Sequence, residues 1–265
     1  MIRVGIISYL PNNEKREKRK FETNRAYNNL MKVIPEGVEV YVVSQGYKEE
    51  DYKEGIHYIK FEEGIGPSRA RNELLKAFYE SDDDYMLYID DDNYIYDRYN
   101  VKDLFQELHN NPSKFKMVDM FCGIHGRFSP FTKENDALDL DHFYHFKQMP
   151  FQTTGELRIL KNLRKYGKEE IYYDPEVKVG EDLDLRIRLE SRNDIFCYCC
   201  NNIIQGTYCM DFRTAVCWDA KDEADYNRQQ LESATQIKQK YGSKRYSARW
   251  KPGQNIIRIP NEIKK

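Results

Sequence analysis

Residues 85–93 read Tyr85-Met86-Leu87-Tyr88-Ile89-Asp90-Asp91-Asp92-Asn93, an uninterrupted apolar and aromatic run that stops in three consecutive carboxylates. A short run of this kind suits a strand buried on both faces, and the abrupt change to Asp marks where it leaves the core. Upstream, Arg3 to Leu10 is a first apolar run, broken into a loop by Ser8, Leu10 and Pro11. A basic stretch from Lys15 to Lys20 leads into a helix through Asn24 to Val33, and Val38 to Val43 is a β-branched strand closed by Ser44-Gln45-Gly46. His57 to Phe61 makes a short third strand. A turn at Gly64, Gly66 and Pro67 follows, and Ser68 is placed to cap a helix over Arg69 to Tyr79. Within that helix Ala70, Leu74, Leu75, Ala77 and Phe78 share one face. Strands alternating with helices predict an α/β fold with a mainly parallel central sheet flanked by helices, Rossmann-like in its N-terminal half. In such sheets ligands gather outside the carboxyl ends of the strands, where Asp90 to Asp92 stand.

The remainder is less regular. A helix is expected over Val101 to His109, a strand over Lys116 to Phe121 and another over Glu156 to Leu160. Ser129 to Met149 is rich in aromatics and His and has no period. Glu181 to Leu189 reads as a helix with Leu183, Ile187 and Leu189 inward. Ile195 to Cys200 and Ile203 to Tyr208 look like paired strands, and Asp222 to Tyr241 is a polar helix. No repeat or linker divides the chain. We expect one catalytic domain over residues 1–237, with a basic tail over 238–265 packed on or next to it.

Composition narrows the function. A hydrophobic share of 40% across 265 residues suffices for a sizeable core, and a net charge of −2 argues against indiscriminate coating of nucleic acid. The run Val4 to Ile7 is too short for a secretory signal, and no stretch nears the roughly 20 apolar residues of a spanning helix. No membrane anchor is therefore expected, and the six Cys read as reduced thiols in a cytoplasmic setting. Cys197, Cys199, Cys200 and Cys209 lack the paired spacing of a zinc site and are better taken as small buried hydrophobes.

Three acidic or basic constellations carry chemistry. Asp90, Asp91 and Asp92 repel one another unless a cation sits among them. Were the strand to continue, Asp90 and Asp92 would share one side and suit Mn2+ or Mg2+, which bind through one or two carboxylates plus substrate phosphates. The bland alternative is an acidic turn. Asp82-Asp83-Asp84, on the opposite edge of the strand, reads as such a solvated turn. Gly180-Glu181-Asp182-Leu183-Asp184 places acids in a first helical turn, where the helix dipole favours them; Asp182 is also a candidate general base for an acceptor hydroxyl. Gly66-Pro67-Ser68-Arg69-Ala70-Arg71-Asn72 offers a helix start and two arginines to phosphate.

The order of these signals, Ser8-Tyr9-Leu10-Pro11, then Ala70-Arg71-Asn72, Asp90-Asp91-Asp92 and Gly180-Glu181-Asp182, resembles the glycosyltransferase-A fold over residues 2–210. It is most similar to the large inverting group called family two. That resemblance implies a nucleotide-sugar transferase with Asp90 and Asp92 on the metal. It implies Asp182 as catalytic base beside Glu181, and a donor, most often a UDP-sugar, contacted by Ser8, Tyr9, Leu10, Gln45, Arg69, Arg71 and Asp91. Two departures stand out: Gln45 replaces an Asp that often meets the uracil, and no His beyond His145 completes the metal shell.

Gly64 to Asn72, Tyr88 to Asn93 and Gly180 to Arg188 are also similar to a viral branch, the TET-associated glycosyltransferases, which decorates modified bases in DNA. Such an acceptor fits the tail, where Lys238, Lys240, Lys244, Arg245, Arg249, Lys251, Arg258, Lys264 and Lys265 are opposed only by Glu262 and interleaved with Tyr241, Tyr246 and Trp250. The expected acceptor contacts are Trp218, Arg245 and Trp250, although Trp218, with Tyr208 and Phe212, fits the core as well as a sugar-stacking wall. His142 and His145 have the helical spacing of a metal pair or line the acceptor cleft. A glycan acceptor, a nucleotidyltransferase of similar topology and a non-catalytic sugar- or nucleotide-binding module stay open. The second lacks support because Ser8 to Asn13 has no glycine-rich loop. The oligomeric state is not legible.

Overall fold

A computed structural model of the chain describes residues 2–95, 101–111, 113, 118–125, 142–145, 158–161, 167, 171–177, 180–190, 194–207 and 223–242. Strands β1 (Ile2–Tyr9), β2 (Glu39–Gln45), β3 (His57–Phe61) and β4 (Tyr85–Asp90) form a parallel sheet in the order β3-β2-β1-β4. Beyond β4 the sheet turns mixed. Here β5 (Asn93–Ile95) and β7 (His142–His145) pair antiparallel with β9 (Phe196–Thr207), β6 (Met120–His125) runs parallel to β9, and β8 (Arg158–Lys161) is antiparallel to both β4 and β6.

Helices cover both faces of the parallel half, as the alternation of elements requires. On one face Val4, Ile6, Val40, Val42, Leu87 and Ile89 meet Tyr27 and Leu30 of α1 (Arg16–Val33) and Phe105 and Leu108 of α3 (Val101–Asn110). On the other, Val43, Met86 and Tyr88 pack with Ala70, Leu74, Leu75 and Phe78 of α2 (Pro67–Tyr79) and with Leu185 and Leu189 of α4 (Glu181–Glu190). Successive residues of β4 serve opposite faces, which is why that strand reads as continuously apolar.

Several local expectations change. Gly66, at φ +83°, is the N-cap of α2 with Pro67 at its first position, so Ser68 lies inside the helix and donates its hydroxyl to the Val177 carbonyl at 3.1 Å instead of capping. The two strands expected at 195–208 are one strand, β9. Its register against β6 shifts between Cys122 and Ile124, so the break between the two expected strands is an irregularity in the ladder and not a turn. His142 and His145 lie on a strand, β7, so the helical spacing on which they were paired does not exist there.

Asp83 is also corrected, being buried and no solvated turn residue: it accepts a hydrogen bond from Arg3 Nε at 2.5 Å, while Asp82 and Asp84 are exposed. Arg3 donates in addition to the Ala77 carbonyl at 3.2 Å, and its guanidinium lies 4.0 Å from the Tyr41 ring centre. This pair pins β1 and the start of β4 to the end of α2. At the other end of the sheet Gly46, with φ +69°, has no room for a side chain, because a Cβ would fall 2.4 Å from the Leu10 carbonyl oxygen.

Asp83→Ala strands a buried guanidinium and is expected to lower unfolding free energy by about 3 kcal/mol, whereas Asp82→Ala stays within about 0.5 kcal/mol. Urea titrations of the two variants make the comparison, and equal effects would show Asp83 to be as solvated as its neighbour. Gly46→Ala combines a positive φ with a backbone clash and is expected to cost about 2 kcal/mol or more in the same assay.

Candidate active site

The carboxyl ends of β1, β2 and β4 meet the first turns of α1, and charge is sorted there. Strand β4 ends at Asp90, and Asp91 and Asp92 form the turn into β5, so the three acids are not presented in strand alternation. Asp91 turns inward. It accepts from Ser8 Oγ at 2.5 Å and Thr23 Oγ1 at 3.3 Å and is ion-paired with Arg19. Ser8 Oγ in turn lies 2.7 Å from the Tyr47 hydroxyl. Burial raises the Asp91 carboxyl above the usual carboxylate range, with Arg19 and Ser8 opposing.

Arg19 also comes within 3.9 Å of Asp92. Burial pushes the Asp92 carboxyl up to about 7 against the pull of Arg19, and Asp91 and Asp90 push it further. Among the described residues no group of three His, Cys, Asp or Glu gathers as a metal or zinc site. Asp90 and Asp92 nevertheless fit a cation that draws the rest of its shell from a diphosphate, as Mg2+ and Mn2+ do.

The second half of the site is assembled by Arg71. Its Nε donates to the Tyr88 hydroxyl at 2.7 Å, that hydroxyl donates to Asp90 Oδ1 at 2.8 Å, and Arg71 Nη2 lies 3.3 Å from the same oxygen. The remaining Nη1 forms an ion pair with Glu181. Burial works against the Arg71 cation, yet Tyr88, Asp90, Tyr173 and Asp182 keep it firmly charged. Helix α2 also grips the segment before α4: Asn72 donates to the Tyr173 carbonyl at 2.8 Å and accepts from its N–H at 2.7 Å. Within the acidic pair at the start of α4, Glu181 is buried in its ion pair and Asp182 is half-buried.

The other expected donor contacts divide into frame and surface. Gln45 is buried, accepting from the Ile65 N–H at 2.8 Å and donating to the Ser8 carbonyl at 3.4 Å, so its amide holds the loop ahead of α2. Leu10 is buried as well, and its carbonyl accepts from Arg16 at 3.2 Å. Tyr9 is half-buried with its ring edge against Gly64, 3.1 Å from where a Cβ would stand. Arg69 is exposed beside Gly66. Trp218, Arg245 and Trp250 lie outside the described residues.

Sequence reading missed Arg19, Tyr47, Tyr88 and Tyr173. Arg19 had a signal: Arg16, Arg19, Thr23, Ala26, Tyr27 and Leu30 are the buried residues of α1 and fall at one-face helical spacing. Two arginines on that face disguise it as solvent-exposed. Lys240 and Tyr241, counted with the basic tail, lie in the last turn of α5 (Glu223–Tyr241) and bond to acids of the fold.

No helix among the described residues is long and apolar enough to cross a membrane. Comparison with curated proteins finds no match. Among solved structures the chain is similar to S. aureus TarS, at 16% identity and a TM-score of 0.53 over 89% of this chain and 39% of that one. It is similar to TarS 1-349 in complex with UDP, at 17% identity and a TM-score of 0.51 over 94% and 75% of the two chains. Against TarS 1-349 in complex with UDP-GlcNAc the values are 16%, 0.51, 89% and 66%. The chain thus spans well under half of the first structure, and at these identities the likeness is one of fold. The profile described as glycosyl transferase family 2 matches residues 26–171, more than half of the chain, and takes in Arg71 and Asp90 to Asp92. With a parallel sheet and an acidic strand end of the required kind, the chain belongs to glycosyl transferase family 2.

Proposed function

We propose that this transferase moves a sugar from a UDP-sugar to an acceptor hydroxyl, with Mn2+ or Mg2+ at Asp90 and Asp92 and inversion at the anomeric carbon. The observation that carries the reading is the buried Arg71, which ties Asp90 at the end of β4 to Glu181 at the start of α4. Two acidic groups far apart in sequence are thereby held on one cation, at the strand ends where α/β sheets bind ligands. The fold shared with TarS 1-349 in complex with UDP and with UDP-GlcNAc supports the choice of donor.

Roles follow from burial and partners. Tyr9, on the Gly64 backbone, walls the nucleoside, and Arg69, in the first turn of α2 where no side chain caps the N–H groups, faces the diphosphate. Ser8, Leu10, Gln45 and Asp91 hold the frame around that pocket. A divalent cation at Asp90 and Asp92 would offset the diphosphate charge and stabilise it as a leaving group. Glu181 is committed to Arg71, which assigns the proton to Asp182. Asp182 accepts the acceptor hydroxyl proton, the freed oxygen bonds to the anomeric carbon, and the bond to the diphosphate oxygen breaks with its electron pair leaving on UDP. Attack opposite the leaving group inverts the centre.

For the acceptor we favour a glycan hydroxyl over a hydroxymethylated DNA base. Lys240 and Tyr241, two of the residues that favoured DNA, bond within the fold.

Calorimetric titration of UDP and UDP-sugars with and without Mn2+ tests the donor assignment, and the expected outcome is binding that depends on the metal. Failure of every nucleotide to bind would defeat it and leave a non-catalytic module. Asp92→Ala should lose the Mn2+-dependent part of UDP binding, and an affinity unchanged by the metal in the wild-type protein would remove the metal from this site. Asp182→Asn should leave UDP affinity within about twofold and lower turnover by about a thousandfold, the scale of general base catalysis. Turnover close to wild type would reject Asp182 as the base.

A further inference from the structure

Helix α4 is ten residues long, too short to hold its own position, so tertiary contacts decide where its first turn stands. Two residues beyond Asp182, the fully buried Asp184 is held from three sides. Lys240 Nζ donates to its Oδ1 at 2.8 Å, the Tyr241 hydroxyl donates to the same oxygen at 2.7 Å, and Arg188 Nε donates to Oδ2 at 3.0 Å. Lys240 reaches Asp174 as well, at 2.6 Å, and so links the segment before α4 to α4 itself. Ile237 packs with Val177 and Ile187, and its Cδ1 lies 3.2 Å from where a Cβ on Gly180 would stand. Gly180, at φ +77°, immediately precedes Glu181, and its carbonyl accepts the Asp184 N–H at 3.0 Å. Helix α5 ends at once after these contacts: Gly242, at φ +83°, donates to the Lys238 carbonyl at 2.8 Å, which keeps Lys240 and Tyr241 in the final turn. The docking is local. Ile237 is the buried residue among the described side chains of α5, while Leu231, two turns earlier, is 69% exposed.

We infer that the last turn of α5 is a positioning clamp for the catalytic helix: Lys240, Tyr241 and Ile237 hold Asp184 and Gly180 and thereby set the placement of Asp182. The inference rests on Asp182 as the base for its catalytic consequence, and on geometry alone for the clamp. A buried carboxylate makes the clamp discriminating, because loss of a partner leaves charge in the core and the helix must move to rehydrate it. A displacement of about 1 Å at a reacting group is enough to lower turnover by about a hundredfold. None of the three residues belongs to the donor crevice, so donor affinity is insulated from the clamp.

Lys240→Met, Tyr241→Phe and the conservative Lys240→Arg test this in the full chain. Hydrogen exchange read on peptides spanning 180–190 should quicken at least tenfold in Lys240→Met, less in Tyr241→Phe and least in Lys240→Arg, with β1 and β4 unchanged. Calorimetric UDP affinity in Mn2+ should stay within twofold in all three. Turnover should fall at least tenfold in Lys240→Met at unchanged donor KM and recover in Lys240→Arg. Wild-type exchange at 180–190 in Lys240→Met would overturn the clamp. Quickened exchange with full turnover would overturn its effect on the base. Absence of UDP binding by the wild-type protein would strike the donor reading instead, and the exchange measurement would still decide the clamp.

Discussion

A single buried cation, the guanidinium of Arg71, is the joint on which the site depends. Desolvating it is costly, and it is tolerated because Tyr88, Asp90 and Glu181 surround it from a strand and a helix distant in sequence. A fixed fork of donors also dictates where its partners stand, which a lysine could not do. The end of β4 and the start of α4 are therefore held in one geometry by the same group, and α2, which carries Arg71, reinforces it through Asn72 and Ser68.

A second cation does comparable work on the opposite face of the sheet. Arg19 neutralises Asp91 and reaches toward Asp92, so the acidic turn is divided into an inner carboxylate that belongs to the fold and outer ones proposed for the site. Arg16 and Lys20, from neighbouring turns of α1, meet the buried Asp51. The charge of the basic stretch is thus absorbed by the protein's own acids. A helix used in this way binds the ends of β1, β2 and β4 together, which is where a transferase needs rigidity.

The two helices α4 and α5 extend the pattern to the proposed base. A buried acid stands next to each residue proposed for chemistry: Asp91 beside Asp92, and Glu181 beside Asp182, with Asp184 two residues further along. The buried member locks the backbone, and the neighbour inherits its position.

How much of this was legible from sequence follows the range of the interactions. Strands β1 to β4, the helices around them and the parallel order were readable because apolar spacing is a local record of which face meets the core. The residues proposed for the site were nameable from sequence, because Asp90 to Asp92 end a strand and Glu181 and Asp182 begin a helix. What sequence left undetermined is which charge is paired. Asp82 and Asp83 are adjacent and identical in type, yet only Asp83 meets Arg3; Arg16 and Arg19 look like solvent-facing residues and are buried; Lys240 and Tyr241 look like tail and bond to the buried Asp184. Partner choice among charges is set by segments that approach one another only after folding, and desolvation then makes the difference between neighbours large. Sequence alone determined the scaffold and the chemistry available to it, and the tertiary structure decided, through pairing and desolvation, which of those charges hold the scaffold.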